Sequence, residues 1–277
     1  MADLGGKTLL ISGGSRGIGL AIAVKAAADG ANVALLAKTA EPHPKLEGTV
    51  YTAAEQIEAA GGQALPIVGD VRDDESVAAA VAATAERFGG IDVLVNNASA
   101  IDLSDPEQLA MKRYDLMQSI NARGTFLLSR ECVPHLRKGS NPHVLTLSPP
   151  LDMNPKWFAQ HLAYTMSKFG MSMVTLGMAE RHREDGIAFN SLWPRTLIAT
   201  AAVEFVVGGE AAMKRARIPA IMADAAHAIL TTDSRAFSGN FCIDDEILLE
   251  RGADLSTYST ADEADLQLDL FVEERRG

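Results

Sequence analysis

The first nineteen residues constrain the fold most. Thr8-Leu9-Leu10-Ile11 is a short apolar run, Gly13-Gly14-Ser15-Arg16-Gly17-Ile18-Gly19 follows at once, and an alanine-rich stretch with helical spacing covers 17–29. A strand that turns through glycine into a helix offers unpaired backbone N–H groups and the positive end of the helix dipole. The glycines at 13, 17 and 19 allow the tight turn and a close approach of the backbone to a pyrophosphate. A glycine-rich turn alone is weak evidence. Its place between the first strand and the first helix gives it weight.

The rest of the chain repeats this alternation. Apolar runs at 31–37, 64–68, 91–95, 143–147, 187–192 and about 240–243 read as strands. Helical patterns at 51–60, 73–88, about 112–138 and 161–183 lie between them. Strands apolar on both faces and separated by helices imply a parallel sheet covered on both sides. With right-handed crossovers this is a doubly wound, Rossmann-type α/β sheet in a single domain, expected over residues 1–252. Two segments break the rhythm. Residues 41–49 (EPHPKLEGT) form a loop insertion after the second strand. The 253–277 tail is acidic and reads either as a solvated, partly disordered end or, because Leu266, Leu268, Leu270 and Val272 alternate, as an extended segment that docks.

The net charge over 277 residues is −11, which argues against nucleic acid or an anionic membrane as the main partner. Two cysteines cannot build a disulfide framework, no apolar stretch is long enough to span a bilayer, and the N-terminus carries Asp3 where a secretory signal is positive. The expectation is a soluble, cytoplasmic protein.

The end of the second strand bears on the cofactor. An acid there accepts hydrogen bonds from a ribose 2′-OH and repels a 2′-phosphate. Here Ala37-Lys38-Thr39 stands instead, and Lys38 with Arg16 can reach one dianionic phosphate. This favours NADP(H); the bland alternative is a solvated lysine and a loop cation. Tyr164 and Lys168 are one helical turn apart on one face. A neighbouring ammonium favours the phenolate and lowers the tyrosine pKa, so that the phenol exchanges a proton with a substrate oxygen. Ser148, just past the fifth strand, stands at the edge where ligands of open α/β sheets bind.

Gly13/Gly17/Gly19, Asn96-Asn97-Ala98, Asn121, Ser148 and Tyr164-x-x-x-Lys168 stand in the order and spacing of the short-chain dehydrogenase/reductase family, which the chain resembles over about residues 5–245. Segments such as LTLSPPLDMNPKWF and LWPRTLIATAA resemble one branch within it. The resemblance implies Tyr164 as general acid/base, Lys168 on the nicotinamide ribose, Ser148 orienting the reacting oxygen, and Asn121 holding a water that links Lys168 to solvent. It also implies Gly13, Ser15, Arg16, Gly17, Ile18 and Gly19 around the phosphates, Asp70 and Val71 at the adenine, Asn97 and Ala98 at the adenosine ribose, and Pro194 and Thr196 at the nicotinamide. A homo-oligomer, dimer or tetramer, is implied as well. Three departures stand out. Ser99 replaces a glycine, Arg195 puts a cation beside the nicotinamide, and Ser148 precedes Tyr164 by 16 residues, about three more than usual.

Other residues carry paired readings. Met166, Met171, Met173 and Met178 are core or subunit contact before they are a cofactor feature. His135, His143 and His161 lack ligand spacing, so no metal site is expected. Trp157 and Phe158 are either a lid over an apolar substrate or packing. Residues 202–217 stand where relatives carry a mobile lid, with Gly208-Gly209 as hinge. Lys214, Arg215 and Arg217 are either a solvated face or an attractor of an anionic substrate such as an acyl-CoA. The function expected is an NADP(H)-dependent oxidoreductase interconverting a carbonyl and a secondary alcohol on an apolar small molecule. The rival from another class is a catalytically silent nucleotide-binding sensor or scaffold; enoyl thioester reduction fits less well, because that chemistry usually spaces tyrosine and lysine further apart.

Overall fold

The computed structural model describes residues 3–44, 46–259 and 261–274. Seven strands, β1 (Thr8–Ser12), β2 (Asn32–Ala37), β3 (Gln63–Val68), β4 (Val93–Asn96), β5 (His143–Thr146), β6 (Ala188–Trp193) and β7 (Phe241–Ile243), form one sheet in the order β3-β2-β1-β4-β5-β6-β7. Every pairing is parallel. The order reverses direction between β1 and β4, and that switch point is where ligands of such sheets bind.

Helices α1 (Gly17–Ala28), α2 (Val50–Ala59), α3 (Asp74–Phe88), α4 (Met111–Gln118), α5 (Gly124–Leu136), the short α6 (Lys156–Ala159), α7 (Leu162–Arg181), α8 (Gly209–Met213), α9 (Ala220–Leu230) and α10 (Asp244–Leu249) cover the two faces and the ends. Alternate strand residues explain the two cores. Leu9, Ile11, Val33 and Leu35 face the alanine-rich α1 and α9, whereas Leu10, Ala34, Leu36 and Leu94 face α3 and α5. Buried on both faces, β1 has no polar side, as its sequence foretells. Edge strand β3 accommodates Pro66, which a central strand would not.

The expected 112–138 helix is interrupted by one π-helical turn at Ser119–Arg123. That turn directs the buried Asn121 side chain across to the segment after β4 and to α7.

The 266–272 segment docks. Gln267 and Asp269 exchange backbone hydrogen bonds with Leu197, Arg215 and Arg195, Leu268 bridges Thr196 in antiparallel fashion, and the Trp193 indole N–H donates to the Leu270 carbonyl at 2.8 Å. Phe271 and Val272 are buried in a third cluster with Tyr164, Phe169 and Trp193. Phe271 holds φ +71°, a left-handed conformation that costs a non-glycine residue on the order of 1–2 kcal/mol, offset by ring contacts to Trp157, Tyr164, Phe169 and Trp193.

Candidate active site

A continuous cleft of about 1820 Å³ runs along the carboxyl edge of the sheet, from the glycine turn to α7. At one end, Gly13 adopts φ +68° and lies so close to Ala98 that a Cβ would sit 2.8 Å from its Cα. Gly19 does not line the cleft. It lets the Asn97 side chain pass, since a Cβ there would meet Asn97 Nδ2 at 2.5 Å, and that amide donates to the Ser12 and Gly13 carbonyls. The turn is thus shaped from beneath by Asn97, while Ser15, Arg16, Gly17 and Ile18 line its open side.

Arg16 does not point freely into the cleft: its Nη2 donates to the Gly48 carbonyl at 2.7 Å and ties the 41–49 loop to the turn, while its Nε is buried with no hydrogen-bond partner among the described residues. Lys38 follows β2 and pairs with Asp70 at 3.1 Å with most of its side chain in solvent. Both Asp70 oxygens also accept from Arg72, whose guanidinium holds this carboxyl far below the usual range. Lys38, Asp70 and Val71 all line the cleft, as do Asn97 and Ala98.

At the other end, Tyr164 and Lys168 occupy successive turns of α7 and both line the cleft, opposite Pro194. The buried Lys168 amine donates to the Leu147 carbonyl at 2.9 Å and lies 5.1 Å from the centre of the Trp193 ring. The expected lowering of the Tyr164 pKa is not what this environment gives. Burial under Phe271 raises it well above the ordinary phenol value, and the charge of Asp269 adds to that. Burial pushes Lys168 down from its ordinary value; Asp269 opposes the fall.

Several expected roles meet a different geometry. Ser148 is fully buried and does not line the cleft; its hydroxyl bonds Ser191 at 2.9 Å, and Ser191 bonds Thr175 in turn. The strand end is followed by Pro149, whose carbonyl accepts from Ser172, so the chain leaves β5 with Ser148 turned into the sheet–helix interface. Asn121 spends its side chain on both backbone groups of Ala100 and on Ser167, fixing the 98–101 segment to α7. Thr196 lies outside the cleft lining, paired to the tail, with its hydroxyl buried and unpartnered among the described residues.

Arg195 offers no cation to the nicotinamide position. It is buried, paired to Asp245 at 2.7 Å and to Glu246, and it donates to the Glu273 carbonyl at 2.7 Å, which anchors the tail. The basic cluster of the 202–217 segment is spent in the same way: Arg215 donates to the Asp265 carbonyl, Arg217 is buried beside Glu263, and Lys214 pairs with Glu210. Trp157 and Phe158 prove to be packing, against Phe271 and Phe169. Met171 is core, whereas Met166 and Met173 are exposed. Sequence reasoning missed Asp269, Phe271 and Trp193 as site residues; the alternating tail leucines were the available signal.

The glycine turn at the switch point and the tyrosine–lysine pair lie at the two ends of one cleft. The profile of the short chain dehydrogenase family matches residues 7–207, and the chain belongs to that family. It is 54% identical over 98% of its length to hydroxysteroid dehydrogenase-like protein 2 of Xenopus laevis, and spans 64% of that relative's length. A solved structure from Xanthomonas campestris shares 53% identity and a TM-score of 0.95, covering 98% of this chain and 100% of that one. A short chain dehydrogenase of Mycobacterium thermoresistibile shares 57% identity and a TM-score of 0.93, covering 98% of this chain and 96% of that one. No described helix is long and apolar enough to cross a membrane, and no cluster of metal-ligating side chains occurs among the described residues.

Proposed function

We propose that the chain is an NADP(H)-dependent oxidoreductase that interconverts a carbonyl and a secondary alcohol on an apolar small molecule. The observation that carries this is the convergence of Tyr164 and Lys168 on one cleft with the Gly13–Ile18 turn. The residues fit the cofactor. The Gly13 cradle has no room for a Cβ, and the Nε of Arg16, which lines the cleft, is a buried polar atom without a protein partner among the described residues. When bound, the nicotinamide supplies or accepts the hydride. The chain's own residues do the rest: Tyr164 gives a proton to the carbonyl oxygen or takes it back, and Lys168 places a cation beside it.

The preference for NADP(H) rests on the end of β2. Arg72 satisfies both Asp70 oxygens, so Lys38 can leave Asp70 for a 2′-phosphate without stranding a carboxylate. The apolar substrate class rests on Val203, Phe205, Val206 and Val207, which line the cleft from the 203–208 segment; Phe205 and Val206 remain exposed. A cytoplasmic location and homo-oligomeric state complete the proposal.

Titration of the purified chain with NADPH and NADH tests it, followed by a panel of ketones and 3-ketoacyl thioesters. NADPH binds more tightly than NADH and is oxidised by an apolar ketone. In Lys38→Asp, NADPH binding weakens at least tenfold, about 1.4 kcal/mol, while NADH binding holds or improves. Equal loss of both nucleotides contradicts the 2′-phosphate assignment.

A further inference from the structure

We propose that His161 holds the substrate's reacting oxygen at the catalytic end of the cleft, supplying from the start of α7 the second hydrogen bond that Ser148 is turned away from. It rests on the carbonyl chemistry proposed for Tyr164. Ser148 is fully buried, lies outside the cleft lining and bonds Ser191. His161 directly precedes the first turn of α7, and Tyr164 and Lys168 follow it at intervals of about one turn. All three line the cleft.

The imidazole has no structural bond to account for it. Its Nδ1 atom is shut off from solvent and has no hydrogen-bond partner among the described residues. Although His161 occupies the cap position of α7, its side chain does not cap the helix. Polar groups of its neighbours are already paired. The Trp157 indole N–H donates to Asp152 at 2.7 Å, the Trp157 carbonyl accepts from the Thr165 hydroxyl at 2.6 Å, and the Leu270 carbonyl accepts from the Trp193 indole N–H at 2.8 Å. A buried polar atom left unpaired is costly, and a ligand that brings the missing partner removes that cost.

The space beside the ring defines what such a ligand carries. A side cavity of about 240 Å³, walled in part by Trp157, Thr165 and Phe271, shares His161 and Leu270 with the cleft. His161 therefore stands where the two spaces meet. A cavity of roughly 150 Å³ takes a benzene ring, so an arm the size of an aryl group fits beside the imidazole. Phe271 carries the wall of that cavity on to the reacting phenol, stacking on Tyr164 with ring centres 6.1 Å apart. With its proton on Nδ1, the imidazole donates to one lone pair of an aryl ketone oxygen, and the Tyr164 phenol takes the other.

The test is nitrogen NMR of the full chain with labelled histidine and bound NADP+, so that no hydride moves. His161→Asn identifies the His161 signals. Excess acetophenone shifts the His161 Nδ1 signal, whereas ethylbenzene, of similar shape without the oxygen, leaves it in place. Kinetics supply the second arm. In His161→Phe, which keeps a ring and loses the hydrogen bond, kcat/KM for acetophenone falls at least tenfold while NADPH binding stays within about twofold of wild type. His161→Asn, whose side-chain amide matches the Nδ1 position, regains most of that loss. Equal losses in the two variants assign the ring to packing and overturn the proposal. So does an Nδ1 signal that acetophenone leaves in place, or that ethylbenzene moves equally. The carbonyl reading fails on a different observation, the absence of NADPH oxidation by wild type across the ketone panel, whereas the NMR shift is recorded without turnover.

Discussion

At the scale of single residues, neighbours decide what a side chain does. Tyr164-x-x-x-Lys168 was legible because one helical turn fixes the pair whatever surrounds it. The orientations of Ser148 and Arg195 were not legible because they depend on contacts distant in sequence: Ser148 turns to Ser191, which bonds Thr175, and Arg195 turns to Asp245, Glu246 and the Glu273 carbonyl. His143 shows the same dependence and yields a stability prediction. Its Nε2 lies 3.0 Å from the Thr232 carbonyl, its Nδ1 is buried without a partner among the described residues, and burial pushes its pKa down to about 4. A histidine depressed in the folded state contributes fully above its unfolded pKa of about 6.5 and loses that contribution as pH falls toward 4, by up to about 3 kcal/mol. Urea midpoints measured from pH 7.5 to 4.5 read this. Wild type declines more steeply than His143→Gln, and parallel declines contradict the assignment.

At the scale of elements, the strands and most of the long helices were legible from periodicity, with ends that the structure moves by only a residue or two, whereas α9 was not read as a helix. The exceptions are informative. The π turn at Ser119–Arg123 left no mark on hydrophobic spacing, because one extra residue in a helix is decided by where Asn121 must reach. Docking of the tail could not be settled from alternation alone, since an extended segment needs a partner edge. Here that edge is the backbone at 195–197. Helix α7 presents the reverse case, an apolar face with no partner among the described residues. Leu162, Met166, Met173 and Leu176 are exposed along it, and Phe126 is exposed on the adjoining α5. We propose that this face pairs with a second copy. Light scattering should give a mass above the monomer for the wild-type chain and a lower one for Met173→Glu; a wild-type monomer, or a mass that Met173→Glu leaves unchanged, contradicts it.

At the scale of the molecule, one parallel sheet sets both ends of the site. The switch point between β1 and β4 places the glycine turn, and β5 and β6 carry α7 and the 193–196 segment to the other end of the same edge. The tail then closes that second end, stacking Phe271 on Tyr164 in one buried cluster with Phe169 and Trp193. This long-range closure is the part of the site that sequence could least reveal. The central claim is that Tyr164 moves a proton at this site and that the chain is not a silent binder of nucleotide. The direct measurement is NADPH binding and ketone-dependent NADPH oxidation, compared between wild type and Tyr164→Phe. The account predicts binding within about twofold of wild type, a difference of about 0.4 kcal/mol, and turnover reduced at least a hundredfold. Equal turnover in the two proteins, or tight binding with no oxidation by wild type across the panel, would contradict it.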